Sequence, residues 1–405
     1  MNIKLSLGAV QDILSAGLDV RDIVHNSKSD GSGTDVISTM AVIPKFKTSG
    51  WPQAALNDLE VGGFMVDVYE ASQPDATSIS RGSTTADTPG TVAACSRPGV
   101  TPWTDISWQN ARIAASNRVV QGRNCHMTTP FERFAILAWI MKSGNWGRLR
   151  GNNVNGKDLR DAASWENYGT FDPTRPAYRL LTGTGPASFW SSGIPGRGLH
   201  NLVGNVYEWE DCRLESGLYQ PKAYLAGARL AADTYIDYDD NALGDGVNVC
   251  QLTPGVYTIT DAVNGDEDVT VSRVIITGRF SGRLILSSGM TLAHGDDCAI
   301  QLKTAVDVSS AGTSTSTSKA IGALLDDATG RCMALPNFAD TTTHVSTYLD
   351  SGYIYNNSDS RVLGRGGNWN SGANARAGLF VKTYYSPTYT TCGVGFRAAL
   401  SFGNL

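Results

Sequence analysis

The sequence predicts an α+β fold with a β-rich insertion, on three observations. One helix is marked at both ends: "TTPFERFAILAWIMKSG" has Thr129 as N-cap, Pro130 at the first helical position, Glu132 three residues after the cap and Gly144 as a stop. One strand is marked by its period: in "GGFMVDVYEAS" (62–72) Phe64, Val66 and Val68 alternate with Met65, Asp67 and Tyr69, as on a half-buried strand. Between 213 and 335, short alternating runs recur between Asn-Gly, Gly and Ser turns, the punctuation of an all-β unit.

Residues 1–55 read as an N-terminal lead-in for attachment or oligomerisation. A Gly/Ser-rich break, "SKSDGSGTD", precedes "VISTMAVIPKF", which reads as a strand entering a larger body. "DISWQNARIAASNRVV" (105–120) sets Ile106, Ala111, Ile113, Ala114 and Ala115 at near-helical spacing. In the next helix Phe131, Phe134, Ala135, Leu137, Ala138 and Ile140 cover most of the circumference, so it is expected to build core. Within the insertion the Ser/Thr tract "SSAGTSTSTSKAIG" (309–322) reads as a mobile loop. The main domain is thus expected over 56–405, interrupted by the insertion at 213–335.

Composition narrows the function classes. At 405 residues the chain can form one large domain with insertions, or two domains. Charged residues are 18% against 41% hydrophobic, which selects a folded, loop-rich chain. A net charge of −5, with no Lys/Arg cluster interleaved with aromatics, argues against nucleic acid and for a protein or glycan ligand. No apolar run is long enough to span a membrane, and residues 1–25 lack the apolar core and cleavage site of a secretory signal, so no membrane insertion and a cytoplasmic start are expected. Cys95, Cys125, Cys212, Cys250, Cys298, Cys332 and Cys392 show no C-x-x-C pair, so neither disulfide stapling nor structural zinc is expected.

Three separated stretches then resemble one family. "GFMVDVYEAS" looks like the first strand, "LHNLVGNVYEWEDC" (199–212) like the G-N-V-x-E-W signature and "GRGGNWNSG…GVGFRAAL" like the closing R-G-G-x-W…G-F-R signature of the formylglycine-generating-enzyme subtype of the C-type lectin fold. The resemblance covers roughly residues 56–212 and 336–405. Its signature residues read as scaffold. Gly204, Gly366, Gly367 and Gly395 permit close backbone approach or positive φ; Trp209 and Trp369 supply large rigid surface; Asn205 belongs to the same turn; Phe396 completes the frame. Arg365 and Arg397 are expected to bridge buried carbonyls or carboxylates such as Glu208.

The copper-dependent catalysts of that family carry a cysteine pair after R-G-G-x-W, because thiolates are the soft ligands such an oxidation needs. "NSGANARAGLFVKT" holds no cysteine, so no enzymatic activity, no cofactor and no metal are expected. His25, His126, His200, His294 and His344 show no metal-ligand spacing, and His200 is expected to satisfy a turn or core hydrogen bond. "DYDDNALGDG" (237–246) has Ala242 and Asn248 where a calcium loop needs Gly and Glu, so a solvated acidic turn is expected. A metal-dependent oxidase of the sulfatase-modifying type and a calcium-dependent lectin remain as alternatives.

Within "RGGNWNSGANARAGLFVKTYYSPTYTTCGVGFR" a firm frame encloses a permissive filling. Residues 364–400 resemble the variable region of diversity-generating retroelement proteins, in which adenine-specific errors of a reverse transcriptase diversify one exposed surface. The resemblance makes Asn368, Asn370, Ser371, Ala373, Asn374, Thr383, Tyr384, Tyr385, Thr388, Tyr389, Thr390, Thr391 and Cys392 the ligand-binding positions, each reachable by changing adenines of an AAC- or ACC-like codon. Tyr384, Tyr385 and Tyr389 are the expected anchors, since tyrosine gives large amphipathic contact at small entropic cost. The same resemblance implies a partner on a cell surface, residence on a phage tail or cell surface, and homo-oligomers, with tail-tip proteins of this kind often trimeric.

Overall fold

The computed structural model describes residues 17–47, 60–142, 169–174, 179–185, 196–239, 251–307, 315–320, 349–354, 360–369, 371 and 381–402. Strands β1 (Asp19–Asn26), β2 (Asp35–Ile43), β3 (Phe46–Lys47), β4 (Glu60–Val61), β5 (Phe64–Asp67), β6 (Ala71–Ser72), β7 (Cys95–Ser96), β8 (Val119–Val120), β9 (Arg123–Asn124) and β10 (His126–Met127) accompany two helices, Trp108–Ser116 and Pro130–Lys142. Then come β11 (Tyr207–Glu215) and β12 (Leu218–Tyr219). Six strands follow: β13 (Lys222–Leu225), β14 (Tyr235–Asp239), β15 (Gly255–Thr260), β16 (Glu267–Ile276), β17 (Gly282–Leu286) and β18 (Ala299–Leu302). The chain closes with β19 (Val306–Asp307), β20 (Thr315–Ala320), β21 (Leu349–Ile354), β22 (Ser360–Arg365), β23 (Val381–Tyr385), β24 (Val394–Phe396) and β25 (Ala398–Ser401). The described part is mostly β-strand, and none of its helices is long and apolar enough to cross a membrane.

One sheet has the order β1-β2-β5-β25-β10. It joins the first and last described strands of the chain, β1 and β25. "SKSDGSGTD" is the turn of the β1–β2 hairpin, in which Asn26 pairs with Asp35. The hairpin from the expected lead-in therefore shares a sheet with β5 and β25. The four residues Phe64–Asp67 are all buried, a departure from the half-buried alternation expected of them. The cause is position: β5 is central, paired by β2 on one edge and β25 on the other. Asp67 is tolerated there because Arg118 donates to both its carboxylate oxygens, at 2.6 and 2.7 Å.

Both helices form as their sequence signals require. Glu132 N–H donates to Thr129 Oγ1 at 3.2 Å, and Thr129 N–H donates to Glu132 Oε2 at 3.0 Å, the reciprocal pair of a capping box. Helix Pro130–Lys142 then buries Phe134 through Ile140; its expected stop, Gly144, lies outside the described residues. Helix Trp108–Ser116 is capped by Ser107, whose hydroxyl accepts from the Asn110 N–H.

The expected insertion contains a closed antiparallel barrel, β13-β14-β17-β16-β15-β18. Its strands alternate buried and partly exposed residues, and Leu225, Ile236, Tyr257, Ile259, Leu284 and Ile300 are among those that fill the interior. Asp237 lies in β14 rather than in a solvated acidic turn: Arg283 and Arg229 donate to it at 2.6 and 3.0 Å. The Ser/Thr tract is not simply a loop either, because Thr315–Ala320 is a strand paired along its length with β21.

Candidate functional site

The second large sheet brings the signature stretches together. Its order is β19-β12-β11-β22-β23-β21-β20, with β24 also pairing β11. β11 is the common partner: Glu208 lies opposite Arg365 on antiparallel β22 and opposite Gly395 on parallel β24. "EW" of the middle signature thus sits between the opening "RGG" and the closing "GFR".

Charge locks this junction. Arg397 Nε donates to Glu208 Oε1 at 2.6 Å and Arg133 Nη1 to Glu208 Oε2 at 2.9 Å, while Arg365 Nε donates to Glu210 Oε1 at 2.6 Å. All five side chains are at most 3% exposed. Arg397 also donates to the carbonyls of Asp67, Val68 and His200. Burial pushes the Glu210 carboxyl up and lowers Arg133, against the pull of the opposite charges beside each. His200 is wholly buried; desolvation first, and Arg397 second, push its imidazole down to about 3.

Backbone geometry is equally constrained. Gly366 has φ +87°, and a Cβ there would lie 2.6 Å from the Leu202 carbonyl oxygen, so this position requires glycine. Gly204 N–H donates to the Gly366 carbonyl at 2.8 Å, and Trp369 N–H to the Asn205 carbonyl at 3.1 Å. Asn205 Nδ2 donates to Glu70 Oε1 at 2.9 Å, and burial raises the Glu70 carboxyl. Trp209 is fully buried and donates from Nε1 to the Ile106 carbonyl at 3.0 Å. The Trp103 ring lies against Phe396, centroids 6.1 Å apart.

Above this frame runs the segment 386–393, held by its main chain. The N–H groups of Asp105, Gln109 and Tyr207 donate to the carbonyls of Thr391, Pro387 and Gly393 at 3.0, 3.4 and 2.8 Å. Arg179, itself paired to Asp172, donates to the Cys392 carbonyl at 3.0 Å. Thr388, Tyr389 and Thr390 are exposed, while Thr391 and Cys392 are half-buried. Asn368 and Ser371 are also half-buried: the Ser371 hydroxyl donates to Asn368 Oδ1 at 3.1 Å, accepts from Asn368 N–H at 2.9 Å and lies 3.0 Å from the Tyr207 hydroxyl. A Cβ on Gly393 would come within 2.7 Å of Asn368 Nδ2, so the two ends of the filling meet.

Tyr385 departs from its expected part as a surface anchor. It is 7% exposed, its ring edge-on to Trp209 at 5.4 Å and 88°. Tyr389 stacks on it at 4.6 Å and 19° and is 41% exposed. A ladder of three rings therefore runs from core to surface, and its last rung, Tyr389, is the exposed one. Thr383 and Tyr384 lie on β23 with their side chains outside the described residues; Asn370, Ala373 and Asn374 lie outside them altogether.

Sequence reasoning missed Glu210, Arg133, Asp105 and Arg179. Glu210 was legible: in "YEWED" two acids two residues apart on a strand share a face, and two buried carboxylates call for more than one cation. Arg133 carries no local signal, since Glu208 lies 75 residues away; nor is the reach of Asp105 to Thr391 or of Arg179 to Cys392, 213 residues on, written near either residue, although Arg179 pairs locally with Asp172. Among the described residues no group of three His, Cys, Asp or Glu side chains could hold a metal ion. Cys95, Cys125, Cys298 and Cys392 are free thiols. No protein-family model matches this chain, and no curated protein matches it significantly.

Proposed function

We propose that this chain is a ligand-binding protein of the formylglycine-generating-enzyme-type C-type lectin fold, and that its C-terminal face is diversified by retroelement mutagenesis to recognise a protein or glycan on a cell surface. The observation that supports this reading most is the division of labour in 386–393. The segment's carbonyls are held by Asp105, Gln109, Arg179 and Tyr207, whereas Thr388, Tyr389 and Thr390 project outward. Main-chain anchoring does not depend on side-chain identity, so these three positions can change while the backbone stays in place. Tyr389, backed by Tyr385, is the preorganised aromatic anchor of the surface, and the threonines around it supply adaptable hydrogen bonding.

The test is a library randomised at 388–390 and, separately, one randomised at 208, 365 and 397. Most members of the first fold, and ligand selection enriches particular residues at 389; few members of the second fold. Equal loss of folding in both libraries would defeat the proposal.

A further inference from the structure

We infer that the loop 73–88, between β6 and β7, supplies an unvarying contact beside the variable segment, with Ile79 as its apolar knob, and that the partner this composite surface fits is a folded protein. The inference rests on the reading of 386–393 as a ligand-binding surface. A single exposed apolar side chain needs no explanation of its own. Ile79 is 78% exposed; what singles it out is the stiffness of its loop and the element that carries that loop.

The Gln73 side chain bridges the neck of the loop, its Oε1 accepting from the Thr84 N–H at 3.0 Å and its Nε2 donating to the Thr84 carbonyl at 2.9 Å. Arg97 Nη2 donates to the carbonyls of Gln73 and Ala76 at 3.1 and 2.9 Å. Thr101 donates from both its N–H and its hydroxyl to the Thr77 carbonyl at 3.1 Å. At the tip the Thr77 N–H donates to the Ser80 carbonyl at 2.8 Å, and the Ile79 N–H to Thr77 Oγ1 at 3.3 Å. None of these bonds uses the Ile79 side chain. The tip therefore holds a branched apolar group in water on a backbone already ordered, so little further ordering cost falls on a partner that binds it.

Residues 105–110 hold this loop and the variable segment together. The Asp105 carboxylate accepts from Arg81 Nη1 at 2.6 Å, while its N–H donates to the Thr391 carbonyl at 3.0 Å. Asp105 adopts φ +57°, a conformation uncommon outside glycine that persists where surrounding contacts over-determine it. The Ser107 N–H and Asn110 Nδ2 donate to Asp87 Oδ1 at 2.6 and 3.0 Å, while the Gln109 N–H donates to the Pro387 carbonyl at 3.4 Å. One support thus carries two loops, and each presents an exposed large apolar side chain, Ile79 on one and Tyr389 on the other. An aliphatic knob has neither a hydrogen bond nor an aromatic face to offer a hydroxyl-rich saccharide, but it gains by entering an apolar pocket on a protein. Arg81 is paired to Asp105, so it is not held out for an anionic glycan. The exposed Thr77, Ser78 and Ser80 around the knob supply adaptable hydrogen bonds.

The test displays the full chain randomised at 388–390 and selects binders on immobilised lysozyme, a folded protein, and separately on mannan, a glycan. Ile79→Ser is then placed in each independent binder, with Leu230→Ser, at a side chain 70% exposed on the barrel, as the control. Ile79→Ser should leave the urea midpoint unchanged and weaken most lysozyme binders by about tenfold or more. Leu230→Ser in any binder, and Ile79→Ser in mannan binders, should change affinity by less than about twofold. Lysozyme binders that tolerate Ile79→Ser within about twofold overturn the inference and leave the reading of 386–393 standing. An equal loss against mannan overturns the choice of a protein partner. Binding that survives alanine at all of 388–390, or a library that yields no binder to either probe, overturns the reading of the variable segment and this inference with it.

Discussion

Replacing Glu208 by Gln tests whether the junction of the three signature stretches is held by charge. Glutamine keeps the shape, but it removes the negative charge that faces Arg397 at 2.6 Å and Arg133 at 2.9 Å. All three side chains are at most 3% exposed, so the orphaned guanidinium charge has no water to turn to. Breaking a buried pair by removing one partner costs about 3–5 kcal/mol, a shift on the order of 10 °C in a domain of this class. Glu215→Gln, at the far end of the same strand, is the internal control. Its bond to Arg213 is equally short at 2.5 Å, but Glu215 is 60% exposed, and exposed pairs contribute ~0–1 kcal/mol. Urea unfolding of both variants, followed by tryptophan fluorescence, reads the difference as a change in midpoint at constant slope. A Glu208→Gln cost within about 1 kcal/mol of the Glu215→Gln cost would refute the claim that this network closes the fold.

Three further outcomes follow from the same geometry. Tyr385→Ala should cost roughly 3–5 kcal/mol by emptying the space against Trp209, whereas Tyr389→Ala should change stability by no more than about 1 kcal/mol while weakening ligand binding tenfold or more; urea unfolding and a binding titration separate them. Gly366→Ala combines a left-handed φ with a Cβ 2.6 Å from a carbonyl oxygen and should destabilise by ~2 kcal/mol or more, measured by thermal denaturation. Burial, against the pull of Arg118, pushes the Cys95 and Cys125 thiols up to about 11 and about 12, so both should stay protonated and resist iodoacetamide across about pH 7–9 in the native protein. The half-buried Cys392 should label before either of these two, as read by peptide mass spectrometry.

Local signals in this sequence were readable where they act locally. Thr129, Pro130 and Glu132 spell out a helix start and form it. Where the outcome depended on a distant neighbour, the sequence was mostly silent; the meeting of Arg397 with Glu208, anticipated from the signature motifs, is the exception. Alternation in "GGFMVDVY" suggests one wet face, but β2 and β25 make β5 central, and Arg118 neutralises Asp67. "DYDD" looks like a solvated turn until Arg283 and Arg229 are brought to Asp237 by barrel pairing. Tyr384 and Tyr385 are neighbours on one strand, and neighbours on a strand face opposite ways; period alone could have removed one of them from the list of anchors. Main-chain support from Asp105 and Gln109 leaves no mark on the sequence, because any residue's N–H can supply it.

The central claim, a fixed frame carrying a surface built to vary, is tested most directly by reading the DNA around the coding region. The account predicts a near-copy of the codons for residues 364–397, differing almost only at adenines, close to a reverse transcriptase reading frame. The differing codons should include those for Thr388, Tyr389 and Thr390 and should spare those for Gly366, Trp369 and Arg397. A region with no such copy, or a copy whose differences fall on the frame codons, would contradict it.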